Sequence, residues 1–124
     1  MIERLKKRRD FLAAAKGKKA ARRAFVLEAR QREDDGPARF GFTVSKRVSQ
    51  KAVERNRIRR RLREAVRIGT AEHARAGHDY VLVGRRAALG EPFADIKTSL
   101  AEALRQTSGV ANLQEPDARR RPAR

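Results

Sequence analysis

The 124-residue chain contains no cysteine and no tryptophan, and only one methionine and one tyrosine. Without cysteine, neither disulfides nor thiolate metal sites contribute, and stability has to come from packing. No apolar run approaches the roughly 18 residues of a transmembrane helix. The opening MIERLKKRRDF also lacks the apolar stretch of a secretory signal, so a cytoplasmic protein with no membrane partner is expected. Acidic residues are scarce as well: 15 stand against 32 Lys and Arg, for a formal net charge of +17. In a chain of single-domain length, that imbalance requires an acidic polymer as partner.

The groups that would carry chemistry are thin. A nuclease acting through its own side chains needs clustered carboxylates to hold divalent metals at phosphate. Asp34 and Asp35 lie in the turn-rich EDDGP, where they serve as turn formers, and Glu3 and Asp10 sit in a basic arm. His73 and His78 are five apart in an expected loop with no obvious third ligand. Neither a nucleophile elbow nor a phosphate-loop glycine pattern occurs. No catalytic residue, no metal site and no cofactor held by these side chains is expected.

What the chain does have is VERNRIRRRLREAVRI, residues 53–68, with seven arginines that leave the apolar stripe of a helix unbroken. At 100° per residue, Ile58, Leu62, Ala65 and Val66 share one arc, while Asn56, Arg57, Arg59, Arg60, Arg63 and Arg67 occupy the far side. Arg55 falls beside the apolar arc, where its stem can lie on the core while the guanidinium reaches outward. An ordinary solvated face interleaves Glu with Lys or Arg, yet only Glu54 and Glu64 are present here. Each like-charge pair one turn apart costs about a few tenths of a kcal/mol, so the face is destabilising until an anion neutralises it. Planar guanidinium forks suit phosphate oxygens and stack on bases, which favours nucleic acid. The small Ala65 and Val66 argue for packing on protein rather than on a membrane.

Around this helix the pattern reads helix, strand, strand, helix, strand, helix: an α+β single domain of two layers. Residues 2–15 form a short helix or ordered arm, and Gly17 interrupts the basic connector KGKKAARR. Phe25, Leu27 and Ala29 alternate with Val26, Glu28 and Arg30; after EDDGP, Phe40, Phe42 and Val44 alternate with Arg39, Gly41, Thr43 and Ser45. A hairpin is the economical pairing of these two strands. Ser49 suits the N-cap of the arginine helix, and Gly69 a left-handed C-cap. Tyr80–Val83 forms a strand buried on both faces, and Pro92 opens a last helix through Phe93, Ile96, Leu100 and Leu104. The domain spans 1–107, followed at 108–124 by a basic tail too poor in apolar residues to offset its ordering entropy.

The run ERNRIRRRLREAVR, preceded by GFTVSKRV and by RLKKRRDF near the N-terminus, resembles the bacterial ribonuclease P protein subunit from about Arg4 to Thr107. The resemblance implies that the arginine helix lies in a left-handed crossover between parallel strands, against the general right-handed rule. It implies a large catalytic RNA that carries the reaction, with magnesium at the RNA's active site, and a protein that binds that RNA and the single-stranded 5′ leader of precursor tRNA. By position Arg55, Asn56, Arg57, Arg59, Arg60, Arg63 and Arg67 match the RNA-binding helix. Phe11, Phe42, Ser45, Lys46 and Arg47, with the basic pair Arg85 and Arg86, match the leader side. Aromatic stacking in a basic groove is how single strands are held, which agrees with this set. Phe42 is as well placed to be an inward residue of a half-buried strand as a leader contact, and for Phe40 the inward placement is the favoured one. Two departures stand out: Ala15 replaces a frequent second aromatic, and Ser49-Gln50-Lys51 replaces the usual Gly-Asn before the helix. The alternative function is a structural RNA-binding protein, such as a ribosomal protein or RNA chaperone. DNA binding ranks behind both, because long arginines around one face suit folded RNA better than base edges.

Overall fold

Strand alternation decides which way the sheet faces. In β3 (Phe25–Gln31), Phe25, Leu27 and Ala29 are buried and the residues between them half-covered. β5 (His78–Gly84) is covered almost throughout, as expected of a central strand. The computed structural model describes residues 2–69 and 73–108. The remaining elements are β1 (Ile2–Arg4), α1 (Arg8–Ala15), β2 (Lys18–Ala21), β4 (Ala38–Thr43), α2 (Ala52–Gly69), a 3₁₀ turn at Arg86–Leu89 and α3 (Phe93–Ser108). The strands make one mixed sheet in the order β1-β4-β5-β3-β2. β4 runs parallel to both β1 and β5, and the β2–β3 and β3–β5 pairs are antiparallel.

The two faces of the sheet are covered differently. Helices α2 and α3 lay Ile58, Leu62, Ala65, Ile96, Leu100 and Leu104 on Phe25, Leu27, Phe40, Tyr80 and Leu82, with the Phe40 and Tyr80 rings stacked 5.0 Å apart. On the opposite face α1 adds a partial third layer, a small cluster of Leu5, Ala14 and Val81 with Phe11 and Val83. Next to it lies an ion cluster. Register sets Arg30 and Arg39 on either side of Asp79 in adjacent strands. The Asp79 carboxylate is fully buried and accepts from Arg39 Nε and Nη2 (both 2.8 Å), Arg32 Nη1 (2.7 Å) and Arg30 Nη2 (3.2 Å). Burial alone would raise its pKa, but the hydrogen bonds from Arg39 and Arg32 outweigh it and hold Asp79 below the ordinary carboxylate value.

Several sequence expectations need correction. β3 and β4 form no hairpin, because β5 lies between them. The EDDGP loop passes over the start of β5, where the Gly77 N–H donates to Gly36 O (2.7 Å) and the Arg32 N–H to Gly77 O (2.6 Å). Gly77 has φ +78°, and a Cβ there would stand 2.4 Å from Asp34 O, so this crossing requires glycine. The hairpin partner of β3 is β2, drawn from the stretch expected to be a connector; of its four residues only Ala20 is buried, and the backbone pairing is joined by a cross-strand ion pair of Lys19 with Glu28 (3.3 Å). Residues 2–15 divide into β1 and α1, with the Leu5 N–H bonded to Phe40 O (2.8 Å). His78 begins β5 rather than lying in a loop. Ser49 stands ahead of the N-cap, which falls at Lys51: the Lys51 O accepts from Glu54 and Arg55 (3.1 Å each), and Ser49 Oγ accepts from the Lys51 N–H (3.1 Å). Gly69 ends α2 in right-handed geometry, Gly77 being the positive-φ glycine among the described residues. α3 runs through Ser108, and the rest of the expected basic tail, 109–124, lies outside the described residues.

Candidate nucleic-acid interface

The crossover between parallel β4 and β5 positions α2, and its apolar stripe determines what the other side presents. Ile58, Leu62, Ala65 and Val66 are buried; Asn56, Arg57, Arg60, Arg63 and Arg67 are exposed and Arg59 is half-buried. The guanidiniums of Arg57 and Arg60 make no hydrogen bond or ion pair with another described residue. Arg59 Nη1 donates to Asn56 Oδ1 (2.7 Å), which fans two side chains along one edge. Arg67 pairs with Glu64, whose pKa it lowers by hydrogen bonding. Arg55, half-buried, donates to Ser49 O (2.9 Å) and ties the helix start to the preceding loop.

Arg61, which sequence reasoning left without a role, serves the fold. Its guanidinium donates to the carbonyls of Ala88 (2.9 Å), Leu89 (3.2 Å) and Glu91 (2.8 Å), satisfying the end of the 3₁₀ turn. The signal was its position just outside the Ala65 edge of the apolar arc, where a long stem can lie along the core.

The residues expected at the leader divide between the two faces. Phe11 lies half-buried on the α1 face, its ring over Gly41; a Cβ at Gly41 would meet the ring at 2.5 Å, so the missing side chain is what seats it. Phe42, one residue further along β4, faces the opposite way, packs against the larger core and lies under Arg63, whose guanidinium carbon is 5.7 Å from the ring centroid. Phe11 and Phe42 therefore form no common stacking platform. Ser45, Lys46 and Arg47 are exposed in a turn just beyond β4, closed by a bond from the Val48 N–H to Ser45 O (3.1 Å). Arg86 reaches this region, with Nη1 3.4 Å from Val48 O and 3.3 Å from Glu54 Oε1. Glu54 is held below the ordinary Glu value, first by the Ser49 hydroxyl and then by Arg86. Arg85 turns away: its Nη1 donates to Arg22 O (3.1 Å), on the β2–β3 side.

The model of the family described as Ribonuclease P matches residues 2–108. The chain belongs to the ribonuclease P protein family. It is 49% identical over 104 residues to the ribonuclease P protein component of Gluconacetobacter diazotrophicus, covering 83% of this chain and 89% of that one. It is 48% identical over 104 residues to the counterpart from Caulobacter vibrioides, covering 80% and 69%. Among solved structures, the RNase P protein of Staphylococcus aureus matches with a TM-score of 0.66 at 33% identity, covering 83% of this chain and 93% of that one. The Thermotoga maritima RNase P protein matches with a TM-score of 0.69 at 29% identity, covering 84% and 96%. A ribonuclease P protein is a subunit of an endoribonuclease complex in tRNA processing that works with an RNA component.

Proposed function

We propose that the polar face of α2 binds the catalytic RNA of ribonuclease P, and that the α1 face of the sheet takes the single-stranded 5′ leader of precursor tRNA. The observation that carries the reading is the helix face itself. Arg57 and Arg60 are exposed and uncompensated on a helix whose other side is fully buried, so the repulsion there is relieved by an external polyanion. For the leader, Phe11 supplies the ring and Lys46, Arg47 and Arg86 the charge, with Ser45 beside them. The orientation of Phe42 makes it a support for Arg63 rather than a leader contact, and Arg85 stands apart from the group.

The chemical step belongs to the RNA in this reading. The carboxylates best placed to attract a cation are already bound: Asp79 by three arginines, Asp34 by Arg32, Glu54 by Arg86 and Glu64 by Arg67. Among the described residues no three His, Asp or Glu side chains converge. The protein's contribution is to neutralise phosphate repulsion between RNA strands and to orient the leader. The test is cleavage of precursor tRNA by nuclease-free protein, by cognate catalytic RNA, and by both at low magnesium. No turnover by protein alone and a large acceleration by both together support the assignment. Turnover by protein alone that is lost on carboxylate substitution overturns it, and acceleration equal for leader-bearing and leaderless substrates reduces it to generic RNA binding.

A further inference from the structure

Beyond Phe11, at the end of the sheet remote from Ser45–Arg47, the α1 face opens into a cavity of about 450 Å³ between the start of α1 and the ends of β3 and β4. Arg30 and Arg39, held from beneath by the buried Asp79, are among its lining residues. Asp79 and Asp10 hold Arg30 Nε and Nη2 and Arg39 Nε and Nη2, leaving Nη1 of each without a partner among the described residues. The acidic groups around it are largely spent. Asp34 accepts from Arg32 and from the Gly36 N–H, which pull its pKa down to about 2, and Asp10 lies 3.3 Å from Arg30 and 3.6 Å from Arg39. Glu33 is exposed at the rim. Opposite it Lys7 and Arg9, exposed and unpaired, are the charges left to act on a ligand. Arginines fixed by a buried carboxylate lose little freedom on binding, and their planes are surfaces on which a base can stack.

Position links this cavity to the groove. Along β4, Arg39 precedes the Phe11 seat at Gly41 by two residues, about 7 Å, and the Ser45 turn follows it at the other end of the strand. A strand laid from Ser45–Arg47 across Phe11 therefore runs into the cavity. The Ser45 end also leads into α2, the proposed docking helix, so nucleotides near the scissile bond belong there and more distal ones at Arg39.

We propose that the cavity is a distal nucleotide subsite. It takes one further unit of the single strand, with a phosphate against Lys7 and Arg9 and the ribose or base against the Arg30 and Arg39 planes. This rests on the leader reading, and the test separates the two. Holoenzyme assembled from the full chain and its cognate RNA is titrated with precursor tRNAs whose leaders are lengthened one nucleotide at a time. Affinity should rise as the leader reaches Phe11 and rise again at a longer length. A Lys7→Ala, Arg9→Ala double variant that melts like the parent should lose only the second rise and flatten its salt dependence by about one unit of log-log slope, and Arg9→Glu should lose more. Phe11→Ala should weaken the shorter leaders as well. A second rise that is absent, or that survives intact in both charge variants while Phe11→Ala still weakens binding, overturns the subsite and leaves the groove. Affinity independent of leader length, with Phe11→Ala neutral, overturns both.

Discussion

Two sets of arginines in this chain do opposite things. Arg30, Arg32 and Arg39 converge on one buried carboxylate, and the Arg32 side chain is only 8% exposed. Arg57 and Arg60 on α2 face solvent with no partner among the described residues, and Arg63 finds only the Phe42 ring. The first set is charge-balanced by Asp79, Asp10 and Asp34 and joins three strands to a helix. The second has no counter-charge among the described residues. A +17 protein is thus not uniformly basic in effect: arginines inside the fold are structural, and those left uncompensated are the ones the proposed RNA-binding face draws on.

The comparison breaks most visibly at Asp79. Asp79→Ala strips the common counter-charge from three guanidiniums and should destabilise the domain by about 3–5 kcal/mol, read by urea unfolding. A loss below about 1 kcal/mol would put both sets in the same weak class. The pH dependence has a definite sign. The Asp79 and Asp34 carboxylates are held below their ordinary value of 3.8, so they favour the folded state above that pH. That stability is lost as pH falls through the folded values, toward about 2 for Asp34. Asp79→Asn should remove much of this acid sensitivity, and an unchanged acid profile would count against the cluster.

Two further variants probe what each face rests on. Leu62, fully buried beneath the exposed arginines, should cost about 2–5 kcal/mol when replaced by Ala; a near-neutral result would mean that α2 is not anchored by its stripe. Phe11→Ala should weaken binding of leader-bearing precursor tRNA by roughly 1–3 kcal/mol with little salt dependence and leave mature tRNA unaffected. Because Phe11 also packs on Gly41, its variant must first be shown to melt near the parent, and equal losses for both tRNAs would remove Phe11 from the leader groove.

The division of α2 into a buried stripe and a basic face was legible because helical period and charge are both local properties. The core strands were legible for the same reason: Phe25, Leu27 and Ala29 alternate, and Tyr80–Val83 is apolar throughout. Strand order was not, because β3 and β4 are separated by a turn-rich loop whose most economical reading is a hairpin, and the strand inserted between them comes some forty residues later. β2 escaped notice because its Lys and Ala side chains carry no strand signal, and its pairing, by backbone bonds and the Lys19–Glu28 ion pair, shows only once the strands are side by side. Phe42 stood open in the sequence between a leader contact and an inward core residue, and its one-residue offset from Gly41 places it with Phe40 on the core face of the sheet. Nor could Arg30, Arg32 and Arg39 be told from the α2 arginines until their shared partner, forty or more residues away, was known.

The smallest stability effect should come from the most charged surface. Arg57→Ala combined with Arg60→Ala removes two exposed side chains that make no hydrogen bond or ion pair with another described residue, and it relieves repulsion on α2, so the melting temperature should stay level or rise slightly. Binding should tell the two arginine sets apart. Loss of about two phosphate contacts should lower affinity for the cognate catalytic RNA and flatten the log-log salt dependence by roughly one to two units. The comparison needs low and moderate salt together, because screening at a single concentration can hide the slope. If affinity and slope are both unchanged in the folded double variant, the α2 face is only solvated, and the surface that binds the catalytic RNA must be sought elsewhere on the chain.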